Sequence, residues 1–184
     1  MPSYVAFLRA INLGASRKFP QADIRAAAET AGCTGVETHI NTGNLRVTTP
    51  LRSRARVEAA LERAFLADRG FEVPTVVFTP GELRAIVAYA EALATVHGSV
   101  AMQYVSLLKE APAEAARAEA EAASYDGERL VVRGRAVHLL LEVRDSYHTA
   151  RLGNAWVERR LGVSTNRNLT VLQAIARKWC GPGT

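Results

Sequence analysis

Cationic and amide side chains occur together in the first turn of this chain, where they could bind an anion. Arg9 and Asn12 precede Gly14, and Lys18 follows a few residues later. Arginine offers paired planar donors to a carboxylate or phosphate, and lysine adds a point charge. In the alternative interpretation, Asn12 only caps a turn and Arg9 is solvated. Both interpretations stay open, although loops carry functional residues more often than cores do.

A second polar turn comprises Asn41–Asn44. Asparagine and glycine are the residues that a tight hairpin needs where φ is positive, so turn geometry alone explains this segment. A ligand-binding role for Thr42 and Asn44 gains weight only if the turn lies beside Arg9 and Asn12.

A third polar segment, Ser164–Asn168, is typical of a helix start. Thr165 or Asn166 can cap the first backbone N–H groups of a following helix. The same helix start can bind an anion through its dipole and its N–H groups, with Arg167 adding charge and Asn168 beside it. Helix capping and anion binding are both compatible with these residues.

Asp145 and His148 lie in a dense polar run that leads to Arg151. An Asp–His pair can act as an orienting group and a general base. However, no serine or cysteine stands in a recognisable nucleophile motif such as GxSxG, so an exposed loop histidine is the favoured interpretation. Arg151 is retained as a candidate contact for an anion.

The sequence predicts neither a metal site nor a cofactor. The histidines are dispersed and form no HExxH or HxH pattern, and Cys33 and Cys180 form no CxxC pattern. There is also no GxGxxG motif and no P-loop motif, which argues against the common dinucleotide and nucleotide sites. We interpret both cysteines as unpaired small residues that a cytosolic protein keeps reduced.

The elements that must position these turns alternate between strand and helix. An apolar strand Tyr4–Leu8 and a helix after Pro20 are followed by two short strands, a helix over Ser53–Asp68 with an apolar stripe, and a further strand. In this β-α-β-β-α-β order with strand order 4-1-3-2, strands one and three are antiparallel central neighbours. The end of strand one and the next hairpin then share one sheet edge. This predicts that Arg9–Gly14 lies beside Asn41–Asn44.

The second half repeats this plan until its end. A linking helix over Glu82–Ala94 leads to a strand, a helix, a hairpin around Gly134–Arg135 and another helix. Where a fourth strand is due, Thr165–Asn168 instead predicts the start of a final helix. The predicted fold is therefore α+β, with two ferredoxin-like (split β-α-β) halves and a final helix replacing the last strand of the second half. Residues 1–79 would form the first half and residues 80–184 the linking helix and second half, in one compact unit.

The composition is that of a folded globular protein with a mild preference for anionic partners. The chain has 184 residues, of which 48% are hydrophobic and 22% charged, with a net charge of +5 and a pI near 9.6. No signal peptide opens it, and no apolar run approaches the roughly 18 residues that span a membrane. We therefore expect a cytoplasmic protein without a membrane partner.

Four blocks, taken in order, carry a resemblance to a known family. Residues 9–15 read Arg-Ala-Ile-Asn-Leu-Gly-Ala, and the later blocks are Thr42–Asn44, Ala150–Leu152 and Thr165–Val171. They resemble the Arg-Gly-Ile-Asn-Val-Gly-Gly, Ser-Gly-Asn, Ser-Lys-Leu and Thr-x-Arg-Asn-Trp-x-Thr-Val blocks of the bacterial domain-of-unknown-function family DUF1697. The resemblance extends over nearly the whole chain. It implies a duplicated ferredoxin-like fold but no particular substrate.

Four departures from the family pattern concern small or aromatic positions. Ala10 and Ala15 stand where the family has glycines, Ala150 stands where it has a hydroxyl, and Leu169 stands where it has tryptophan. If the glycines let the backbone approach a ligand closely, this chain has less room there.

The leading hypothesis is a site for a small anionic or phosphorylated ligand at the edge formed by the first two turns. Its candidate ligand-binding residues are Arg9, Asn12, Lys18, Thr42, Asn44, Arg151, Arg167 and Asn168. The sequence decides neither whether a reaction follows binding nor the oligomeric state. A reaction here would rely on acid–base or positioning catalysis, because metal ligands and nucleophile motifs are missing.

Two alternatives belong to other classes. A nucleic-acid-binding module would fit the basic pI, but RNA-binding sheets usually present several aromatic side chains on an open face. Tyr4 and Phe7 are an odd number of residues apart in one strand and so alternate faces. A protein-interaction module would instead use the exposed edge strands of such sheets.

Overall fold

The computed structural model describes residues 1–14, 16–98, 100–144 and 146–181. These residues belong to two compact units. The first comprises Met1–Leu83 with the C-terminal residues from Lys178, and the second comprises Arg84–Arg177. Each unit combines an antiparallel sheet with helices, so the predicted mixture of helix and strand is confirmed.

The first unit contains a four-stranded sheet with strand order β2-β3-β1-β4. Strand β1 is central and antiparallel to both β3 and β4, which is the order that the sequence predicts. The elements are β1 (Ser3–Leu8), α1 (Gln21–Thr30), β2 (Thr34–His39), β3 (Asn44–Thr48), α2 (Arg54–Arg69) and β4 (Thr75–Phe78), followed by α3 (Pro80–Val96). Because β1 and β3 are neighbours, the turn after β1 and the β2–β3 hairpin end at the same edge.

The core of this unit follows from one apolar stripe of α2. Val57, Leu61 and Phe65 recur every four residues and are all buried, as the helical period predicts. Phe19, at the end of the connector from β1, packs edge to face on Phe65 with ring centroids 5.2 Å apart. This contact holds the connector against the core just before α1 begins.

The second unit contains a five-stranded sheet with strand order β6-β7-β8-β5-β9. Its elements are β5 (Met102–Leu108), α4 (Glu114–Ala122), β6 (Ser124–Tyr125), β7 (Glu128–Arg133), β8 (Ala136–Leu141), α5 (Asn154–Leu161), β9 (Ser164–Asn168) and α6 (Leu169–Trp179). Apart from the two-residue strand β6 at one edge, the order of strands repeats that of the first unit.

The prediction that a final helix replaces the last strand of the second half was wrong. Ser164–Asn168 forms strand β9, antiparallel to β5, and α6 follows it directly. Five polar residues give no hydrophobic period from which a strand could be predicted. The predicted caps Thr165 and Asn166 therefore lie within the strand. Asn168 caps α6 instead, since its Oδ1 accepts a hydrogen bond of 2.8 Å from Thr170 N.

Within the described residues, none of the helices combines the length and the apolar character that crossing a bilayer requires.

Candidate ligand-binding site

The two polar turns of the first unit are in direct contact. Phe7 and Asn44 are paired across β1 and β3, and Leu8 N donates a 2.7 Å hydrogen bond to Gly43 O. Beyond the strand, Asn12 Nδ2 donates to Asn41 O at 2.7 Å. The turn after β1 therefore lies beside the β2–β3 hairpin, as the strand order requires.

Gly43 is the point of closest approach between the two turns. A Cβ atom there would lie 2.7 Å from Leu8 Cβ and 2.8 Å from Ile11 Cδ1, and the residue has φ +74°. Both the space and the left-handed backbone exclude a side chain. The glycine of the hairpin thus serves close packing as well as the turn.

Three residues other than glycine adopt positive φ in the described part of the chain; two lie in the first turn and the third directly precedes the second turn. They are Ala10 (φ 57°), Asn12 (φ 56°) and Ile40 (φ 48°). Asparagine tolerates this conformation, but alanine and the β-branched isoleucine are strained in it. Ala10 thus adopts a backbone conformation that glycine would adopt without strain.

Asn12 closes the connector between β1 and α1. Its Oδ1 accepts a 2.9 Å hydrogen bond from Phe19 N, and its own backbone N donates to Arg17 O at 2.7 Å. Together with the bond to Asn41 O, these contacts fix both sides of the loop. Asn12 therefore positions the turn, and its side chain has few groups left for a ligand.

Arg17 is a structural cation of the same connector. Its Nε donates to Ala10 O at 2.5 Å, its Nη2 donates to Glu72 O at 2.6 Å, and its guanidinium lies 4.5 Å from the centre of the Phe71 ring. These contacts hold Ala10 in its left-handed conformation and add positive charge to the edge.

An open cleft of about 410 Å³ lies between the connector and the hairpin. It is lined by Asn12, Gly14, Lys18, Pro20, Gln21 and Asn41. Within the described residues, the exposed Lys18 ammonium has no hydrogen-bond or ion-pair partner. It is also the one titratable side chain among the lining residues, so the cleft presents a cation and neutral amides.

A chain of hydrogen bonds ties α1 to the hairpin on the far wall of this cleft. Gln21 Nε2 donates to Asn41 Oδ1 at 2.7 Å, and Thr38 Oγ1 donates to Gln21 Oε1 at 2.8 Å. Arg25 Nη1 in turn donates to Thr38 Oγ1 at 2.9 Å. Gln21 is a functional candidate that the sequence did not reveal, whereas Asn41 was named only as the first residue of the second polar turn. A polar residue at the first helical position after Pro20 was the available signal.

The other predicted residues of this unit have mainly structural contacts. Arg9 is half-buried, and its backbone N donates to Pro74 O at 2.9 Å. Asn44 is 1% exposed, and both hydrogens of its Nδ2 are used, by His39 O at 3.0 Å and Thr42 Oγ1 at 2.9 Å. Asn44 and Thr42 thus stabilise the hairpin from inside.

Arg151, Arg167 and Asn168 belong to the second unit. The exposed Arg151 places its guanidinium 5.0 Å from the centre of the Tyr125 ring. Arg167 is 7% exposed and its Nη1 donates to Thr165 Oγ1 at 2.8 Å and to Asn166 O at 2.7 Å. Burial lowers the pKa of Arg167 to about 10, so the side chain stays charged at neutral pH.

The structure also bears on the other predicted sites and surfaces. Tyr4 and Phe7 are both buried, so β1 offers no aromatic side chain for base stacking. The outer N–H groups of Thr75 and Val77 on the edge strand β4 donate to the carboxylates of Glu62 and Glu58. Covering an edge strand in this way hinders pairing with another chain.

Three further expectations concern metals, the Asp–His pair and the cysteines. No three His, Cys, Asp or Glu side chains gather as a metal site would require in the part of the chain that the structure describes. Asp145 and Ala15, named from the sequence, lie outside the described residues. Cys33 and Cys180 are buried thiols that belong to no disulfide within the described residues, and burial raises the pKa of Cys33.

Comparison with known proteins finds one matching family model and a solved structure with a similar fold. A family model described as a protein of unknown function (DUF1697) matches residues 1–138, so the blocks of resemblance at residues 150–152 and 165–171 lie beyond the match. Among solved structures, the chain is similar to one described as conserved bacterial protein SP0830 from Streptococcus pneumoniae, at 20% identity and a TM-score of 0.74. The similarity covers 97% of this chain and 98% of that one, so the two share a fold. No curated protein matches the chain.

Proposed function

The chain belongs to the DUF1697 family, and we propose that it binds a small anionic ligand in the cleft beside Lys18. The observation that carries this proposal is Lys18, which lines the cleft and has no partner among the described residues. The strained residues Ala10 and Ile40 do not line the cleft, but they lie within two residues of its lining residues Asn12 and Asn41. Strained backbone persists only where the surrounding structure holds it in place, and it concentrates at functional sites.

The charge of the edge favours an anion. Helix α1 begins at Gln21 without a side-chain cap, so its positive end adds to the charge of Lys18. The acidic residue of the first turn, Asp23, forms an ion pair with Arg69 at 3.0 Å, and Arg69 also pairs with Asp68 at 2.6 Å. The negative charge of Asp23 is therefore only partly compensated, and the anion preference depends on Lys18 and the helix start. Arg17 contributes a further positive charge close to the connector.

The neutral groups of the cleft would orient such a ligand. Gln21 and Asn41 are held by the hydrogen bonds that join α1 to the hairpin, so their amides are fixed before binding. Side chains that are already ordered lose less conformational entropy when a ligand binds. Because no carboxylate or imidazole lines the described cleft, we propose binding and not acid–base catalysis.

A titration of the intact chain with inorganic phosphate and with ribose 5-phosphate tests this function. We expect saturable binding in isothermal titration calorimetry, and a K18Q variant that binds about tenfold more weakly, because one charged hydrogen bond is lost. Lys18 is exposed, so the variant should keep its melting temperature.

The matched control is K109Q, which removes one of the other lysines and the same charge from the second unit. It should bind both probes as the wild type does. Equal weakening by K18Q and K109Q would mean that net charge alone attracts the anions, and absence of saturable binding would overturn the proposal.

We also infer that both units are ferredoxin-like. The support is the β-α-β-β-α-β order of elements and the shared strand order, with β6 as an addition to the second sheet. Deletion of the Ser124–Tyr125 strand should leave the second sheet folded if β6 is peripheral, as measured by circular dichroism.

A further inference from the structure

A second cleft, of about 270 Å³, lies within the second unit at the start of α6. The polar side chains in its wall come from the start of β5, from the segment after β8 and from the first turns of α6. They are Gln103, Arg144, Asn168, Thr170 and Gln173. None of these residues contributes to the cleft beside Lys18, so this cleft is independent of the function proposed above.

Gln103 is the unusual member of this wall. Its side chain is 5% exposed, and its Oε1 has no hydrogen-bond partner in the part of the chain that the structure describes. Its Nε2 lies 3.5 Å from His138 Nδ1, at the limit of hydrogen bonding. Buried amide oxygens are nearly always paired in native proteins, so an unpaired one in a residue that lines a cleft calls for a partner, either water or a ligand group.

With the amide in this orientation, His138 contacts Gln103 Nε2 and not Oε1. It is fully buried, and burial together with the charge of Arg133 lowers its pKa to about 4, so the ring is neutral at pH 7. If Nδ1 accepts from Gln103, the ring hydrogen is on Nε2, which has no partner among the described residues either. In that tautomer the one donor of His138 points away from Gln103.

The rest of the cleft is suited to an anion. The positive end of the 11-residue helix α6 lies at Leu169, and the exposed Arg144 has no hydrogen-bond or ion-pair partner within the described residues. The lining residue Gln173 donates a 2.8 Å hydrogen bond from its Nε2 to the carboxylate of Glu91.

We propose that this cleft binds a compact molecule in which an oxyanion, either phosphate or carboxylate, stands next to a hydroxyl group. The oxyanion would lie between Arg144 and the first turn of α6, and the hydroxyl would donate to Gln103 Oε1. Arg144 supplies paired donors in a plane that matches either oxyanion. The small volume restricts the ligand to a fragment-sized metabolite.

The test uses glycerol 3-phosphate and glycerate as probes, with glycerol as the neutral comparison. We expect the intact chain to bind one or both anions, with shifts of the Gln103 side-chain amide and of residues 168–173 in nuclear magnetic resonance spectra. The tighter of the two probes identifies the oxyanion. Glycerol alone should not saturate at concentrations up to about 10 mM, because it lacks the charged contact.

Two variants separate the contacts. R144Q should weaken binding by at least about tenfold, because a charged hydrogen bond is lost. Q103L should weaken it by about tenfold while the melting temperature stays the same or rises, because leucine removes an unpaired buried amide of similar size. R159Q, at an exposed arginine of α5, is the matched control and should not change binding. K18Q should not change it either.

The proposal is overturned if neither anion gives saturable shifts at this cleft. It is equally overturned if R159Q weakens binding as much as R144Q, which would indicate general attraction by a basic surface. Should Q103L fail to fold, the exposed R144Q variant still decides the outcome.

Discussion

The two units have the same pattern of backbone hydrogen bonds at the end of their first strand, which we call the backbone frame. In the first unit, Leu8 N donates to Gly43 O at 2.7 Å, and in the second unit Leu108 N donates to Arg135 O at 2.8 Å. In each case the hydrogen bond joins the last residue of a central strand to the following hairpin. The sequences around these positions differ, so the shared geometry comes from the strand order.

The next residue repeats the correspondence. Arg9 N donates to Pro74 O and Lys109 N donates to Val163 O, both at 2.9 Å. Each acceptor immediately precedes the strand that forms the other neighbour of the central strand. The frame at this edge is thus the same in both units, down to individual backbone hydrogen bonds.

The chain that leaves this frame differs between the units. In the first unit residues 9–20 form a long connector, whereas in the second residues 109–113 lead directly to α4. Arg135 closes the second frame, since its Nη1 donates to Leu108 O and Lys109 O at 3.3 Å. The positive-φ residues other than glycine and the Lys18 cleft belong to the long connector and its hairpin. We infer that the candidate site arises from the longer connector of the first unit, which follows the backbone hydrogen bonds that both units share.

The hairpin glycines give the largest expected difference between the units. G43A should lower the free energy of unfolding by about 3 kcal/mol or more, because the new Cβ would overlap Leu8 and Ile11 and φ is positive. G134A has open space around the new Cβ and should cost only about 1 kcal/mol for its left-handed backbone. Urea denaturation measures both values. Equal losses would mean that the close approach at Gly43 is unimportant.

Acid should destabilise the protein through His138 of the second unit. Its pKa is about 4 in the folded state, mainly because of burial, against the ordinary value of 6.5. The unfolded chain therefore takes up a proton between these pH values that the folded chain does not, and stability falls as the pH drops from about 6.5 towards 4. The full loss is about 3 kcal/mol.

The measurement is urea denaturation at a series of pH values for the wild type and H138N. Subtracting the two curves removes the contribution of the carboxylates. A difference that stays constant between pH 7 and pH 4 would contradict the assignment to His138.

Substitution of one asparagine in each unit compares the stability contributed by the turn of the first unit with that of the helix cap in the second. N12A should cost about 2 kcal/mol, because the hydrogen bonds to Asn41 O and from Phe19 N are lost and alanine tolerates φ 56° poorly. N168A should cost about 1 kcal/mol, the usual value of a helix cap. Thermal unfolding ranks the two variants, and the reverse order would contradict the structural role given to Asn12.

The smallest expected effect is an increase in stability. A10G should raise the free energy of unfolding by about 0.5–1 kcal/mol, because glycine adopts φ 57° without strain. A Gly substitution at Ala120 in α4, where the backbone is helical, should instead destabilise by a similar amount. If A10G is also destabilising, the backbone at Ala10 is not strained.

The sequence could predict which turns lie together at the site, because that follows from the strand order. The alternation of strand and helix was sufficient to place β1 beside β3, and this neighbourhood brings Arg9–Gly14 to Asn41–Asn44. The direction of individual side chains was beyond such reasoning. Asn44 faces inward because the hairpin uses its amide, whereas Lys18 stays exposed.

The features that the sequence did not reveal depend on tertiary contacts. Strand β9 is polar along its length and exists because it pairs with β5, which no local period indicates. Gln103 looks like any other residue of a strand, and only its buried, unpaired oxygen distinguishes it. The structural role of Arg17 likewise follows only from its hydrogen bonds to Ala10 O and Glu72 O.

The most direct test of the account is a nuclear magnetic resonance titration of the intact chain with inorganic phosphate, following the side-chain amides of Asn12, Gln21 and Asn41. We expect these signals to shift saturably in the wild type and in K109Q. In K18Q the affinity obtained from the shifts should be about tenfold lower, because Lys18 provides the charged contact. Unchanged signals in the wild type, or equal behaviour of K18Q and K109Q, would contradict an anion site at this edge.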